Sequence, residues 1–386
     1  MDNAQKMIAI ITPNTDTLTN PTMVSLLGYL REKRQEVTLF GPQQELECPE
    51  EFGFLRLEET CFKLSFRNPK FWRAQIRSYW KVRGAIGNGE GSVLLAVDPL
   101  GLVIAGRIKK YLCPKAKLSY LSYEIFFADE LSGHYLKLKQ KEICYSKYID
   151  ALLSQDATRR DLLFAENHFT LPDDKVALVP VSSSPIEGVL PVDIHELMDI
   201  DRSKKLVVYS GSVGNWCGTA CIIEALESGL WPADWHLVFH CRKISETGNA
   251  LFGKLAALDA DSEAPFSLHT EPFGPLSELA SFLSGFNAAL ALYFPNRENP
   301  YYGKNMEEIG LSSGKFAMYM MLGLPTLVTS CKIYDALLKQ YDFGASVSDA
   351  KSLCQALGKG DFKPAEAKKL YEEVLQPDAL EFEKVI

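Results

Sequence analysis

The chain has no long apolar run and no surplus of positive charge. No stretch approaches the ~20 apolar residues that a membrane-spanning helix needs, and the opening Met1-Asp2-Asn3-Ala4-Gln5-Lys6 lacks the apolar core of a secretory leader. A cytoplasmic location is the resulting expectation. Lys and Arg number 41 against 49 Asp and Glu, a net charge of −8. That balance argues against a dedicated nucleic-acid binder, which needs excess cations to displace counterions. Metal-binding spacing is also missing. The nine cysteines (Cys48, Cys61, Cys113, Cys144, Cys217, Cys221, Cys241, Cys331 and Cys354) include no C-x-x-C pair, and the six histidines show no zinc spacing. His236 and His240 are four apart but lie in a strand-like run, where helix-face geometry does not apply. Asp259-Ala260-Asp261 has D-x-D spacing in an Ala-rich stretch. The expectation is reduced thiols, no metal and no cofactor.

What remains is an ordinary globular composition in a chain of 386 residues, too long for one hydrophobic core. Met7 to Thr12 is a short apolar strand, followed by a polar loop over Thr12 to Thr19. Met23, Leu26, Leu27 and Leu30 then give a helical stripe, and Val37 to Phe40 a second strand. Strand, loop, helix, strand is the opening of a doubly wound parallel sheet. Further strands are predicted at 92–97, 117–121, 151–154 and 176–179. A loop rich in Ser, Pro and Gly covers Val181 to Pro191. The pattern then restarts with Lys205 to Tyr209, the glycine loop Ser210-Gly211-Ser212-Val213-Gly214, and a helix from about Thr219 to Glu227. Strands follow at 236–240, 267–270, 288–293 and 326–329. The fold class is therefore α/β with two Rossmann-like domains. The expected boundaries are 1–185, 186–362, and a C-terminal segment 363–386 packing back toward the first domain. In such sheets ligands sit outside the carboxyl ends of the strands.

The stretch most informative about chemistry runs from Asn305 to Val328. Leu311-Ser312-Ser313-Gly314-Lys315 ends a polar loop, and Phe316, Tyr319, Met320 and Leu322 continue as an amphipathic helix. Free backbone N–H groups, two hydroxyls and a lysine at a helix start attract phosphate. The competing account is an ordinary serine-capped helix.

This segment, Ser313-Gly314-Lys315-Phe316-Ala317-Met318-Tyr319-Met320-Met321-Leu322-Gly323-Leu324-Pro325-Thr326, resembles the donor-site motif of GT-B glycosyltransferases of the family 4 type, P-S-K-x-x-E-Y-M-x-x-G-x-P-V. The resemblance is good over residues 205–330 and weak over 1–180. It implies a GT-B architecture, with two doubly wound domains facing a central cleft. It further implies a nucleotide-diphosphate sugar, with UDP the first expectation. Donor contacts would come from Gly211, Ser212 and Gly214; Pro272 and Phe273; and Leu311, Ser312, Ser313 and Lys315. Separately, the long polar loop from Asn296 to Asn305 follows a buried strand, and Arg297, Lys304, Asn305 and Glu308 are candidates to face the sugar. Two departures stand out. Met318 occupies the position of the family's ribose-binding Glu, and the pair of Glu residues eight apart is missing. Asn215-Trp216-Cys217 stands where a cationic pair often neutralises the diphosphate. Arg242 and Lys243 are candidates to replace it.

In the first domain Glu124 follows a predicted strand and is the first candidate catalytic residue, with Asp129 and His134 behind it and Asp98 as a further one. A transferase of this kind would serve a glycan, a lipid-linked or a small-molecule acceptor. The rival readings are a nucleotide-sugar epimerase and a catalytically silent binding protein. Residues 66–83 hold six cations and no acid. Read as a helix from Pro69, they align Trp72, Ile76 and Trp80 beside Arg73, Arg77 and Lys81. That pattern suits either peripheral membrane contact or a packing helix with a solvated basic face.

Overall fold

The computed structural model describes residues 7–42, 52–57, 69–242 and 248–386. The chain forms two compact units, residues 1–181 with 377–386, and residues 182–376.

Unit 1 is built on β1 (Met7–Ile11), β2 (Glu36–Gly41), β3 (Gly53–Arg56), β4 (Val93–Val97), β5 (Lys117–Leu121), β6 (Ala151–Ser154) and β7 (Val176–Leu178). Their order is β3-β2-β1-β4-β5-β6-β7, and every pair is parallel. Successive residues of β1 serve opposite faces, as a period of two demands. Ile8 and Ile10 pack with Met23, Leu26 and Leu30 of the helix Pro21–Glu32. Ala9 and Ile11 pack with Ile104 and Ile108 of the helix Asp98–Tyr111. The strand order reverses at β1 and β4, so the carboxyl ends of those strands open the crevice of this sheet.

Unit 2 repeats the plan with β8 (Lys205–Ser210), β9 (Trp235–His240), β10 (Phe266–His269), β11 (Ala288–Ala291), β12 (Thr326–Thr329) and β13 (Gly344–Val347). The order is β10-β9-β8-β11-β12-β13, again all parallel. Leu206 and Val208 face one core, and Val207 and Tyr209 the other. Of the segment 363–386, the helix Pro364–Leu370 and its extension Tyr371–Leu375 belong to unit 2, where the Tyr371 hydroxyl donates to Ser183 O at 2.6 Å. Residues 377–386 belong to unit 1, where Phe382 packs on Tyr29 with ring centroids 5.6 Å apart.

One polar cluster lies wholly inside unit 1. The Glu142 carboxylate accepts from Lys139 Nζ at 3.1 Å, from Tyr120 Oη at 3.1 Å and from Asn167 Nδ2 at 2.8 Å. Lys139 and Glu142 are both fully buried. Removing one charge of such a pair strands the other in a low dielectric. Glu142→Ala is expected to cost about 3–5 kcal/mol in a urea melt; a loss below about 1 kcal/mol would show that the cluster contributes little.

Candidate functional site

In unit 2 the candidate site is assembled at the carboxyl ends of the strands. β8 ends in Ser210 and runs into the glycine loop, and the helix Gly314–Met321 comes up beside it. Three tyrosines join them. The Ser210 N–H donates to Tyr319 Oη at 3.0 Å, Tyr209 Oη donates to Ser212 O at 2.8 Å, and Tyr293 Oη bonds Ser313 Oγ. Gly211 is closely approached. A Cβ there would stand 3.0 Å from Lys315 Nζ and 3.3 Å from Tyr209 Oη. Gly218, at the start of the helix Thr219–Glu227, has φ 83°, and a Cβ would come within 2.5 Å of Leu292 Cβ. Both φ and close packing therefore demand glycine there.

Lys315 lies directly under this loop. Its Nζ donates to Tyr209 Oη at 3.1 Å and sits 4.3 Å and 5.2 Å from the ring centroids of Tyr209 and Tyr293. Among the described residues no carboxylate lies within ion-pair distance of it. Burial without an anion pushes the ammonium down to about 8. The Ser312 hydroxyl is buried with no hydrogen-bond partner among the described residues. By contrast, the Ser313 hydroxyl is fully engaged, capping Phe316 N at 3.2 Å and bonding Tyr293. The first amides of the helix, Gly314 and Lys315, have no helical carbonyl to bond. A half-buried cation, an unpartnered hydroxyl and the first amides of a helix thus belong to four successive residues, 312–315, and an anion is a ligand that each of them can satisfy.

The other donor candidates fall in distinct settings. Ser212 is exposed. The Gly214 N–H donates to Thr219 Oγ1 at 3.0 Å. Trp216, where the family carries a cation, stacks on Tyr302 at 4.8 Å and 8°. Arg242 is exposed, and Lys243 lies outside the described residues. Lys304 opens a short helix, Lys304–Glu307, and Leu311 is buried in the core. Asn305 is buried and donates to Tyr301 O at 3.1 Å. Glu308 accepts from Lys332 N at 3.2 Å, so one of its oxygens serves a helix start. Pro272 is exposed, and Phe273 stacks on His269 at 5.4 Å and 6°. Asp259 and Asp261 both accept from backbone amides, those of Leu268 and Glu263.

Sequence reasoning passed over His240. It ends β9, its Nδ1 bonds Ser210 Oγ at 2.8 Å, and its Nε2 is buried. Burial, helped by neighbouring His269, pulls its pKa down to about 4. The neutral rings of His240, His269 and Phe273 therefore form an aromatic wall beside the glycine loop. Its signal in the sequence is its place as the last residue of a buried strand.

In unit 1 the structure singles out Asp98. It stands at the carboxyl end of β4 in a left-handed backbone conformation, φ 58°. Its Oδ1 accepts from Tyr123 N at 2.8 Å and Glu124 N at 3.2 Å. The carbonyls of the same loop are held from the other side, Ser122 O by Gln155 Nε2 at 2.8 Å and Tyr123 O by Arg159 at 2.7 Å. Burial first, then the nearby Glu124 charge, raises the Asp98 carboxyl to about 7. Asp98 and Glu124 are thus brought together. Asp129 and His134 are exposed, with the His134 ring on Tyr135 at 4.0 Å.

No family model and no curated protein matches the sequence. Solved structures do match over nearly the whole chain. A sucrose-phosphate synthase from Thermosynechococcus elongatus is 10% identical, with a TM-score of 0.70 over 98% of this chain and 97% of that one. The Anabaena protein HepE, solved with UDP and glucose, is 9% identical, with a TM-score of 0.67 over 97% and 96%. The lipopolysaccharide outer core galactosyltransferase WaaB is 12% identical, with a TM-score of 0.64 over 99% of both. The fold is GT-B. In GT-B terms Lys315 and the Gly211 loop lie in the C-terminal sheet unit, and Asp98 in the N-terminal one.

The unneutralised Lys315 carries a stability consequence. Its pKa of about 8 lies below the ordinary 10.5, so burial disfavours the charged form. Lys315→Met should stabilise the ligand-free protein by roughly 1–2 kcal/mol at pH 7. The gain should be full below about pH 8 and shrink as pH rises toward 10.5. Denaturant melts across that range check it; a loss of stability at pH 7 would mean that the charge is already balanced.

Proposed function

We propose that the chain transfers a sugar from a nucleoside-diphosphate sugar to an acceptor hydroxyl, with UDP as the nucleotide. The observation that carries this reading is the half-buried Lys315 amine at a helix start, held between Tyr209 and Tyr293 with no carboxylate within ion-pair distance among the described residues. The GT-B fold and the presence of UDP and glucose in the HepE structure support it. The leaving diphosphate would be met by Lys315, Ser312 and the amides of Gly314 and Lys315, without a metal ion. The wall of His240, His269 and Phe273 offers apolar faces to a base.

Asp98 is the proton acceptor this reading favours over Glu124, Asp129 and His134. One of its oxygens is fixed by two amides, and the other remains for the acceptor hydroxyl. The acceptor is a glycan, a glycolipid or a small molecule. A catalytically silent binder is the second reading, favoured by Met318 in place of the ribose-binding carboxylate. Turnover of a donor by the wild-type chain separates the two.

UDP should raise the melting temperature of the protein, and Lys315→Ala should abolish the shift. No shift with any nucleoside diphosphate would count against the whole proposal. Asp98→Asn should lower kcat by about 10²–10⁴ while leaving donor affinity within twofold. The two groups also set a pH window. Asp98 must be deprotonated to accept a proton, so kcat/KM should rise through about pH 7. Lys315 must be charged to hold the diphosphate, so kcat/KM for the donor should fall above about pH 8. A flat profile between pH 6 and 9 would remove both assignments.

A further inference from the structure

The helix Pro69–Ile86 of unit 1 presents an unusual outer face. Inward it buries Gln75, Ser78, Val82 and Ile86. Outward, Arg73, Ile76, Arg77, Trp80 and Lys81 form a single stripe at i, i+3, i+4, i+7 and i+8 spacing. The two large apolar side chains on that stripe stay in solvent, Ile76 49% and Trp80 53% exposed. Of the two arrangements the sequence allowed, a packing helix would turn Ile76 and Trp80 inward, whereas here both face solvent. The Trp72 side chain and residues 66–68 lie outside the described residues.

The charge on this helix has one sign. The helix carries five Lys or Arg and no Asp or Glu, in a chain of net charge −8. The Arg83 guanidinium lies over the Trp80 ring at 5.1 Å. Lys81 Nζ donates to Arg56 O at 3.1 Å and is still exposed. Burial of so polar a face as Gln75 and Ser78, with Trp and Ile left outside, runs against the usual partition of side chains. It becomes favourable where the outer medium is itself apolar below and anionic above. The cations from Arg73 to Lys81 are spread along ~12 Å of helix, which a single phosphate cannot span and a continuous anionic surface can. Trp at the headgroup level, with long cationic side chains reaching the phosphates beside it, is the arrangement such a surface rewards.

The geometry points to this face as a docking surface for an anionic lipid bilayer, with Ile76 and Trp80 entering the headgroup region and Arg73, Arg77 and Lys81 lying on its phosphates. The inference does not rest on the donor reading, because binding to vesicles is read without turnover. The full chain is floated with vesicles of phosphatidylcholine containing phosphatidylglycerol and with phosphatidylcholine alone, at low and raised salt. Wild type should float only with the anionic vesicles. R73E/R77E/K81E should lower the partition coefficient on the order of a hundredfold. I76S/W80S should retain low-salt binding and lose the part that survives raised salt. Melting curves establish that each variant is folded, and R73E/R77E serves if the triple variant is not. No flotation of the wild type with phosphatidylglycerol at low salt, or undiminished flotation of the charge-reversed variants, overturns the inference.

Discussion

The amine of Lys315 occupies a position that the rest of unit 2 is arranged to permit. It enters from a helix start, passes beneath the glycine loop and ends between two tyrosine rings. Gly211 leaves room for that path, since a Cβ would meet the amine at 3.0 Å. The tyrosines do more than line it. Tyr319 holds Ser210 at the strand end, and Tyr293 holds the capping Ser313. Strand, loop and helix are therefore fixed to one another through hydroxyls around a single charge. None of those hydroxyls is anionic at neutral pH, because burial raises all three phenols above their ordinary pKa. Dipoles and π-faces replace part of the water around the charge, an incomplete substitute.

Unit 1 offers a counterpart of opposite sign. Asp98 is held at the end of β4 in a left-handed backbone that only a few residue types accept. Such strain persists where the surroundings over-determine it. Here they do. Two amides fix the carboxylate, and Gln155 and Arg159 fix the carbonyls of the same loop. The two units thus each place one poorly solvated group where their strands end, a base in one and a cation in the other. Both are perturbed mainly by burial, and so both are tuned by how tightly the surrounding loops pack.

Much of this was legible in the sequence. The buried strands announced themselves as runs of Ile, Leu and Val, because parallel strands covered on both faces need no polar alternation. β4, β5, β6 and β12 fall where the apolar runs put them, to within a residue. The edge strands β3 and β13 escaped detection because Gly-Phe-Leu-Arg and Gly-Ala-Ser-Val are short and mixed in polarity, as edges often are. Lys315 could be found because loop, serine, glycine and lysine are contiguous. Asp98, His240 and the tyrosines were harder, since their partners lie tens of residues away and only folding brings them together. Asp98 joins Glu124 across 26 positions and Tyr209 joins Lys315 across 106. Glu308 looked equally available as a sugar contact, yet its bond to Lys332 N could not be foreseen from spacing.

The neutral character of Asn215-Trp216-Cys217 beside the glycine loop bears on the same electrostatics. A second cation close to Lys315 would repel it and push its pKa down further. Trp216 instead lies flat on Tyr302, and its carbonyl accepts from Phe294 N at 2.9 Å. The loop remains ordered without a second charge. The cost falls on the ligand, because one buried amine must then meet most of a diphosphate's charge. Helix amides share that burden, since they carry partial positive charge without repelling Lys315 as a second ammonium would. A single lysine backed by dipoles is thus self-consistent in the ligand-free state, and it makes the protonation of that one amine decisive for holding an anion.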